Sequence, residues 1–247
     1  MLVKLLKYEL LASARIILPA YAGALVFSLL VRLTLAPAAA RGILGGLFSV
    51  LMGISIFAVV VLTLICIVQR FYSNLFKDEG YLTHTLPVSI DTLIWSKLLV
   101  AFFWIVAGGQ VFVISEWLRT GYFAGFSFAF SDNFWLMSPQ GSLVVLDFAL
   151  SLISSIVTML MWILMGYCAL AIGQLAKRAK ILCSVFVFIG LLIGYAYLFV
   201  QVFFRLFEHV GYTQMSFFTV TLIYTLLQGV FYYFVTRSIL RYWLNLE

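Results

Sequence analysis

Asp78 and Glu79 stand side by side within "FKDEGYLTHTLPVSIDTLIWSK", residues 76–97, followed by Thr83, His84, Thr85, Ser89 and Asp91. The chemistry these types support is ion pairing and hydrogen bonding rather than catalysis. His84 has no second ligand at metal spacing, and the chain holds no CxxC, HxxxH, HExxH or G-x-S-x-G. His84 and His209 both read as ordinary surface histidines. Among the charges lie Tyr81, Leu82 and Leu86. Acidic heads around an aromatic and two leucines suit a protein–protein contact, with charge to steer a basic partner and apolar side chains to anchor it. The same residues also make a well-capped solvated loop. Ser73 or Asn74 can start a short helix, Gly80 weakens it and Pro87 limits it. Ser89 can then cap the next helix, with Asp91 facing its positive end.

The elements that hold this stretch are unusually apolar. Hydrophobic residues make up 65% of the 247 and charged ones 10%, against roughly 25% charged in soluble domains. Mean hydropathy is +1.15. A helix needs about 20 mainly apolar residues to cross the hydrocarbon core. Six runs qualify: 16–36, 45–68, 93–115, 144–171, 181–204 and 216–236. They lack the two-residue alternation of a membrane barrel. The expected fold is all-α, a single polytopic membrane domain over residues 1–247, with the polar loop 69–92 between spans two and three. The net charge of +6 does not indicate nucleic acid, because the basic residues sit at the ends of apolar runs.

Six spans place both termini on one side. If that side is the cytoplasm, the inner segments carry Lys4, Lys7, Arg15, Arg70, Lys77, Lys97, Lys177, Arg178, Lys180, Arg237 and Arg241. The outer ones carry only Arg32, Arg41, Arg119 and Arg205. The positive-inside rule therefore puts both termini and the polar loop in the cytoplasm. Cys66, Cys168 and Cys183 then fall near inner span ends, and an odd number in a reducing compartment reads as free thiols. The N-terminal run is read as retained rather than as a cleaved signal. "LVKLLKYELLASAR" is expected to lie as an amphipathic helix at the interface, with Leu2, Leu5, Leu6 and Leu10 dipping inward. Pro19 is expected to separate it from span one by disfavouring helix at Leu18. Trp95 and Lys97 suit the inner interface.

Glu79, Gly80, Tyr81, Leu82, Thr85, Leu86, Pro87 and Ser89, followed by Lys97, form an "EGYL–TLP–S" pattern with a lysine at the start of a span. This resembles the loop between the second and third spans of bacterial ABC-2 type transporter permeases, especially the short six-span ones whose ATPase is a separate polypeptide. "LLKYEL", the span number and the orientation are similar as well, so the resemblance covers the chain in layout and is specific in one loop. It implies that a coupling helix, with Asp78, Glu79, Gly80, Tyr81, Leu82, Thr85 and Leu86, contacts a cytoplasmic ABC ATPase. The chain has no GxxxxGK[ST], so ATP and magnesium are expected on that partner and no cofactor on this chain. The resemblance further implies a second permease subunit, the same or related, in the bacterial cytoplasmic membrane, and export of a hydrophobic or amphiphilic substrate such as an antimicrobial peptide, drug or lipid-linked molecule.

Gly190 and Gly194 form a GxxxG in span five, which permits close helix approach. First and fifth spans often border the subunit interface in the family, so these glycines are a candidate dimer contact, with packing inside the chain as the alternative. "FFRLFEHVGYTQMSFF" is similar in placement to the re-entrant outer helices of the family, which makes Arg205, Glu208 and His209 candidate outer-gate residues. The aromatic loop "EWLRTGYFAGFSFAFSDNFWLMSPQGS" suits the outer leaflet surface. Within the spans the polar residues are Gln110, Ser151, Ser154, Ser155, Thr158, Gln174 and Gln228; the carboxylates Glu116 and Asp147 fall near outer span ends. No file of ionisable groups crosses the midplane, which argues against a proton-driven secondary transporter. A six-span scaffold or sensor that binds a partner without transport is the reading from another class, and a self-contained secondary transporter, working without an ATPase, is the third.

Overall fold

The computed structural model describes residues 2–35, 43–76, 89–120, 141–176, 179–210 and 214–242. Six long helices account for nearly all of them: α1 Leu2–Leu35, α2 Ile43–Phe76, α3 Ile90–Thr120, α4 Gly141–Gly173, α5 Lys180–Val210 and α6 Gln214–Tyr242. No strand occurs among the described residues. Each helix contains a segment long and apolar enough to cross a membrane. In hydrocarbon, a span must satisfy its backbone groups internally, so uninterrupted apolar runs become helices. The six helices match the six expected runs and extend beyond most of them at both ends. This is the architecture of a multi-pass, all-α membrane protein.

The N-terminal segment departs from expectation. Leu2–Leu35 is one continuous helix with Pro19 inside it, not an interfacial helix followed by a span. Proline removes one backbone hydrogen bond and in a soluble helix costs about 3 kcal/mol. Here both sides of Pro19 are held by one core. Ile17, Tyr21 and Ala24 are buried with Val59, Cys66, Val100 and Trp104, and Leu6, Leu10 and Ala14 pack against the same cluster. Of the leucines read as facing lipid, Leu6 and Leu10 are thus partly internal. At 1.5 Å per residue, α1 is about 51 Å long, longer than a hydrocarbon core of about 30 Å.

The chain divides into two compact units, Met1–Arg70 with Leu99–Met137, and Phe71–Leu98 with Ser138–Glu247. In the first, the Tyr21 hydroxyl donates to the Trp104 carbonyl at 2.8 Å and lies 3.3 Å from the Thr63 hydroxyl. These bonds stitch α1 to α2 and α3. Gly108 allows that approach, since a Cβ there would sit 3.0 Å from the Tyr21 oxygen.

In the second unit α4 packs along both α6 and α5. Phe71 stacks on Tyr167 with centroids 3.9 Å apart, and the Tyr167 hydroxyl donates to the Lys97 carbonyl at 3.2 Å. Lys97 itself is buried, at 5% exposure, and Trp95 is half exposed. Gln174 to Ala176 close a turn, Ala179 adopts a left-handed φ of 52°, and its carbonyl accepts the Cys183 amide at 3.0 Å. Ser184 then lies directly against Gly173.

Candidate functional site

Asp78, Glu79, Gly80, Tyr81, Leu82, Thr85 and Leu86 lie outside the described residues, as does the aromatic stretch 121–140. What the structure does describe is the chain on either side of 77–88.

On the near side, Arg70 of α2 pairs with Glu9 of α1, Nη1 to Oε2, at 3.5 Å. On the far side, the Ser89 hydroxyl accepts the Thr92 amide at 3.3 Å, and the Ser89 carbonyl accepts the Leu93 amide at 3.2 Å. Ser89 therefore caps α3 as expected, with Asp91 in its first turn. Asp91 does more than oppose the helix dipole. One of its oxygens, Oδ1, accepts the Tyr233 hydroxyl at 2.7 Å and forms an ion pair with Arg237, 2.8 Å from Nε, both from α6. One turn further along α3, the Trp95 ring lies 6.2 Å from the Tyr233 ring. The Asp91 and Arg237 side chains are 36% and 37% exposed, and pairs at that exposure contribute about 0–1 kcal/mol. The contact fixes geometry more than it stabilises.

A second polar line runs along one face of α6. The Tyr232 hydroxyl donates to Gln228 Oε1 at 2.9 Å, Gln228 Nε2 donates to the Tyr224 hydroxyl at 2.8 Å, and that hydroxyl donates to the Tyr195 carbonyl of α5 at 2.7 Å. Spacing by four keeps all three side chains on one stripe. Inside a span, such bonds average about 0.6 kcal/mol and reach about 1.7. Gln228→Leu leaves the Tyr232 hydroxyl without its acceptor and removes one donor from the Tyr224 hydroxyl, which keeps the Tyr195 carbonyl, so it is expected to destabilise the folded chain by about 1–2 kcal/mol. Thermal unfolding in lipid nanodiscs, compared with Tyr224→Phe and the double variant, checks both the loss and its non-additivity.

The first unit also holds a cavity of about 300 Å³, lined by Ala24 of α1, by Val59, Val60 and Thr63 of α2, and by Trp104, Gly108 and Phe112 of α3. It lies at the small end of ligand pockets, and its wall is almost wholly apolar. Thr63 donates to its own helix at the Val59 carbonyl. The Trp104 indole N–H is buried without an acceptor among the described residues.

The candidate dimer glycines are open. A Cβ added at Gly190 or Gly194 would meet nothing within 4 Å. Only 6% of the most apolar window of α5 is buried, against 28% in α1, α3 and α4. Packing of this GxxxG inside the chain is therefore not what the described residues show. Arg205 is exposed near the end of α5; positions 208 and 209 continue that helix, but the side chains of Glu208 and His209 lie outside the described set. Glu116 pairs with Arg119 one turn on, at 3.0 Å from Oε2 to Nε, and stays partly exposed, which fits a helix end in contact with water. The Asp147 side chain is not among those described. Cys66 and Cys168 are buried and Cys183 partly so, all as free thiols.

No known protein family, curated protein or solved structure matches this chain. Its function must be argued from its own residues.

The Asp91 contact with α6 and the Glu9–Arg70 pair escaped sequence reasoning, because each joins residues far apart in the chain. The α6 line was partly visible: Gln228 stood out as polar within a span, and tyrosines four residues to either side were the available signal.

Proposed function

We propose that this chain is the six-span permease subunit of an ATP-driven exporter, working with a separate cytoplasmic ABC ATPase and a second permease copy. The observation that carries the reading is the "EGYL–TLP–S" stretch, placed between two apolar helices in a chain otherwise poor in polar sequence. Six helices able to cross a membrane supply the required frame, and the basic residues favour termini on the cytoplasmic side of a bacterial inner membrane. In this reading Asp78 and Glu79 pair with basic groups on the ATPase, while Tyr81, Leu82 and Leu86 fill an apolar groove there. Closure of the ATPase dimer on ATP moves the stretch, and the spans follow. Gly190 and Gly194 lie where the second copy approaches, and Arg205, Glu208 and His209 sit near the outer exit. The cargo is hydrophobic or amphiphilic.

Affinity purification from native membranes in mild detergent, with mass spectrometry of what accompanies the chain, tests this. A P-loop ATPase is expected with the wild type and lost with the Glu79→Arg, Leu82→Asp variant, because one change reverses a steering charge and the other buries a carboxylate in an apolar contact. A wild type that brings no nucleotide-binding partner overturns the exporter and leaves a membrane scaffold or sensor. A partner retained by the variant moves the contact elsewhere on the chain.

A further inference from the structure

We propose that Asp91, Tyr233 and Arg237 form a clasp through which movement of the polar stretch reaches α6. This rests on the reading that residues 78–86 dock an ATPase; what it adds is the route by which the motion enters the bundle.

The route follows from geometry. Asp91 and Trp95 lie one turn apart on α3, and Tyr233 and Arg237 lie one turn apart on α6. The two pairs face each other as two rungs. The first is a carboxylate oxygen holding a phenol at 2.7 Å and a guanidinium at 2.8 Å; the second is the Trp95–Tyr233 ring contact. A hydrogen bond from Tyr233 and an ion pair with Arg237, from adjacent turns of α6, converge on a single oxygen and tie the first turn of α3 to α6. That turn is also where the chain enters α3 from the 77–88 stretch, directly after the Ser89 cap. A pull on α3 at this point cannot shift it past α6 without breaking the Tyr233 hydrogen bond and the Arg237 ion pair at Asp91. Because α6 packs along α4, what α6 receives is passed to the rest of that unit. Deleting one partner of a half-exposed pair has a small effect on folding, so loss of coupling can be separated from loss of structure.

The test uses the full chain with its ATPase in lipid nanodiscs. Cys66, Cys168 and Cys183 are replaced, and an environment-sensitive fluorophore is placed at Ser238, which is exposed beside Arg237 on α6. ATP with vanadate is the probe. In the otherwise unchanged chain it is expected to shift the fluorescence. Asp91→Asn and Arg237→Gln are each expected to shrink that shift about fivefold, while the ATPase still co-purifies and thermal unfolding is unchanged. Asp91→Glu, which keeps a carboxylate for both α6 residues, is expected to recover most of it. An undiminished shift in both single variants overturns the clasp, as does no shift in the unchanged chain or no recovery with Asp91→Glu. Absence of any ATPase from the wild-type preparation overturns the docking reading instead, and the clasp with it.

Discussion

Gly173→Leu is expected to be the most disruptive single substitution among the described glycines, with a severalfold lower yield of folded chain and a clearly lowered melting temperature in detergent. A Cβ at Gly173 would lie 2.7 Å from both Cα and Cβ of Ser184. A side-chain tip can rotate away, but the Ser184 backbone cannot, so α4 and α5 must separate or the turn between them must re-form. Overpacking a tight contact costs about 1–3 kcal/mol, and more where backbone has to shift. At the start of α5, Ala179 already holds a left-handed conformation that costs a non-glycine residue about 1–2 kcal/mol. Two comparators isolate the cause. Gly166→Ala, on the same helix with nothing within 4 Å, is expected to be neutral or slightly stabilising, because alanine has the better helix propensity. Gly173→Ala combined with Ser184→Gly is expected to recover only part of the loss, because the backbone at position 184 still crowds the added methyl group. Full recovery would show that the serine side chain alone sets the spacing.

The six helices were legible in the sequence because length and apolarity decide them: in lipid, a run of about 20 such residues has no alternative to a helix. Helix ends were legible where a cap declares them, as at Ser89. Pro19 misled because the rule for proline describes an isolated helix in water. Here Leu6 and Leu10 before it and Ile17 and Tyr21 around it rest on one core, and packing holds the helix straight through. Lys97 was legible as a basic residue at a span end but not as a buried one, with its carbonyl accepting the Tyr167 hydroxyl.

The candidate site was legible as composition and not as contact. Asp91 read correctly as the acidic residue at the positive end of α3. Nothing in the local pattern told that its carboxylate would also be claimed by Tyr233 and Arg237 from the last helix, because a pairing between distant segments leaves no periodic trace when charges are few and every helix is apolar. Sparse charge makes the converse useful. With 10% of residues charged, an ion pair between helices has few competing partners, so the few pairs present set the register of neighbouring elements rather than merely covering a solvated surface.

The openness of α5 leads to the second large effect. Gly190→Leu with Gly194→Leu is expected to leave the single chain folded and equally or more heat-stable, because neither position meets an atom within 4 Å and each replacement favours the helix by up to about 1 kcal/mol. The same pair is expected to weaken self-association in the bilayer about tenfold or more, since close approach of two backbones across a GxxxG is lost once a leucine stands in the groove. Energy transfer between differently labelled copies in lipid vesicles, over a range of protein-to-lipid ratios, reads this directly. Gly53→Leu on α2, also without a neighbour within 4 Å, is the control for added bulk on a lipid-exposed face. A large loss with the α5 pair and none with the control assigns the bare face of α5 to a second copy. Equal association in all three leaves α5 facing lipid, and the permease reading then needs its second subunit to approach by another helix.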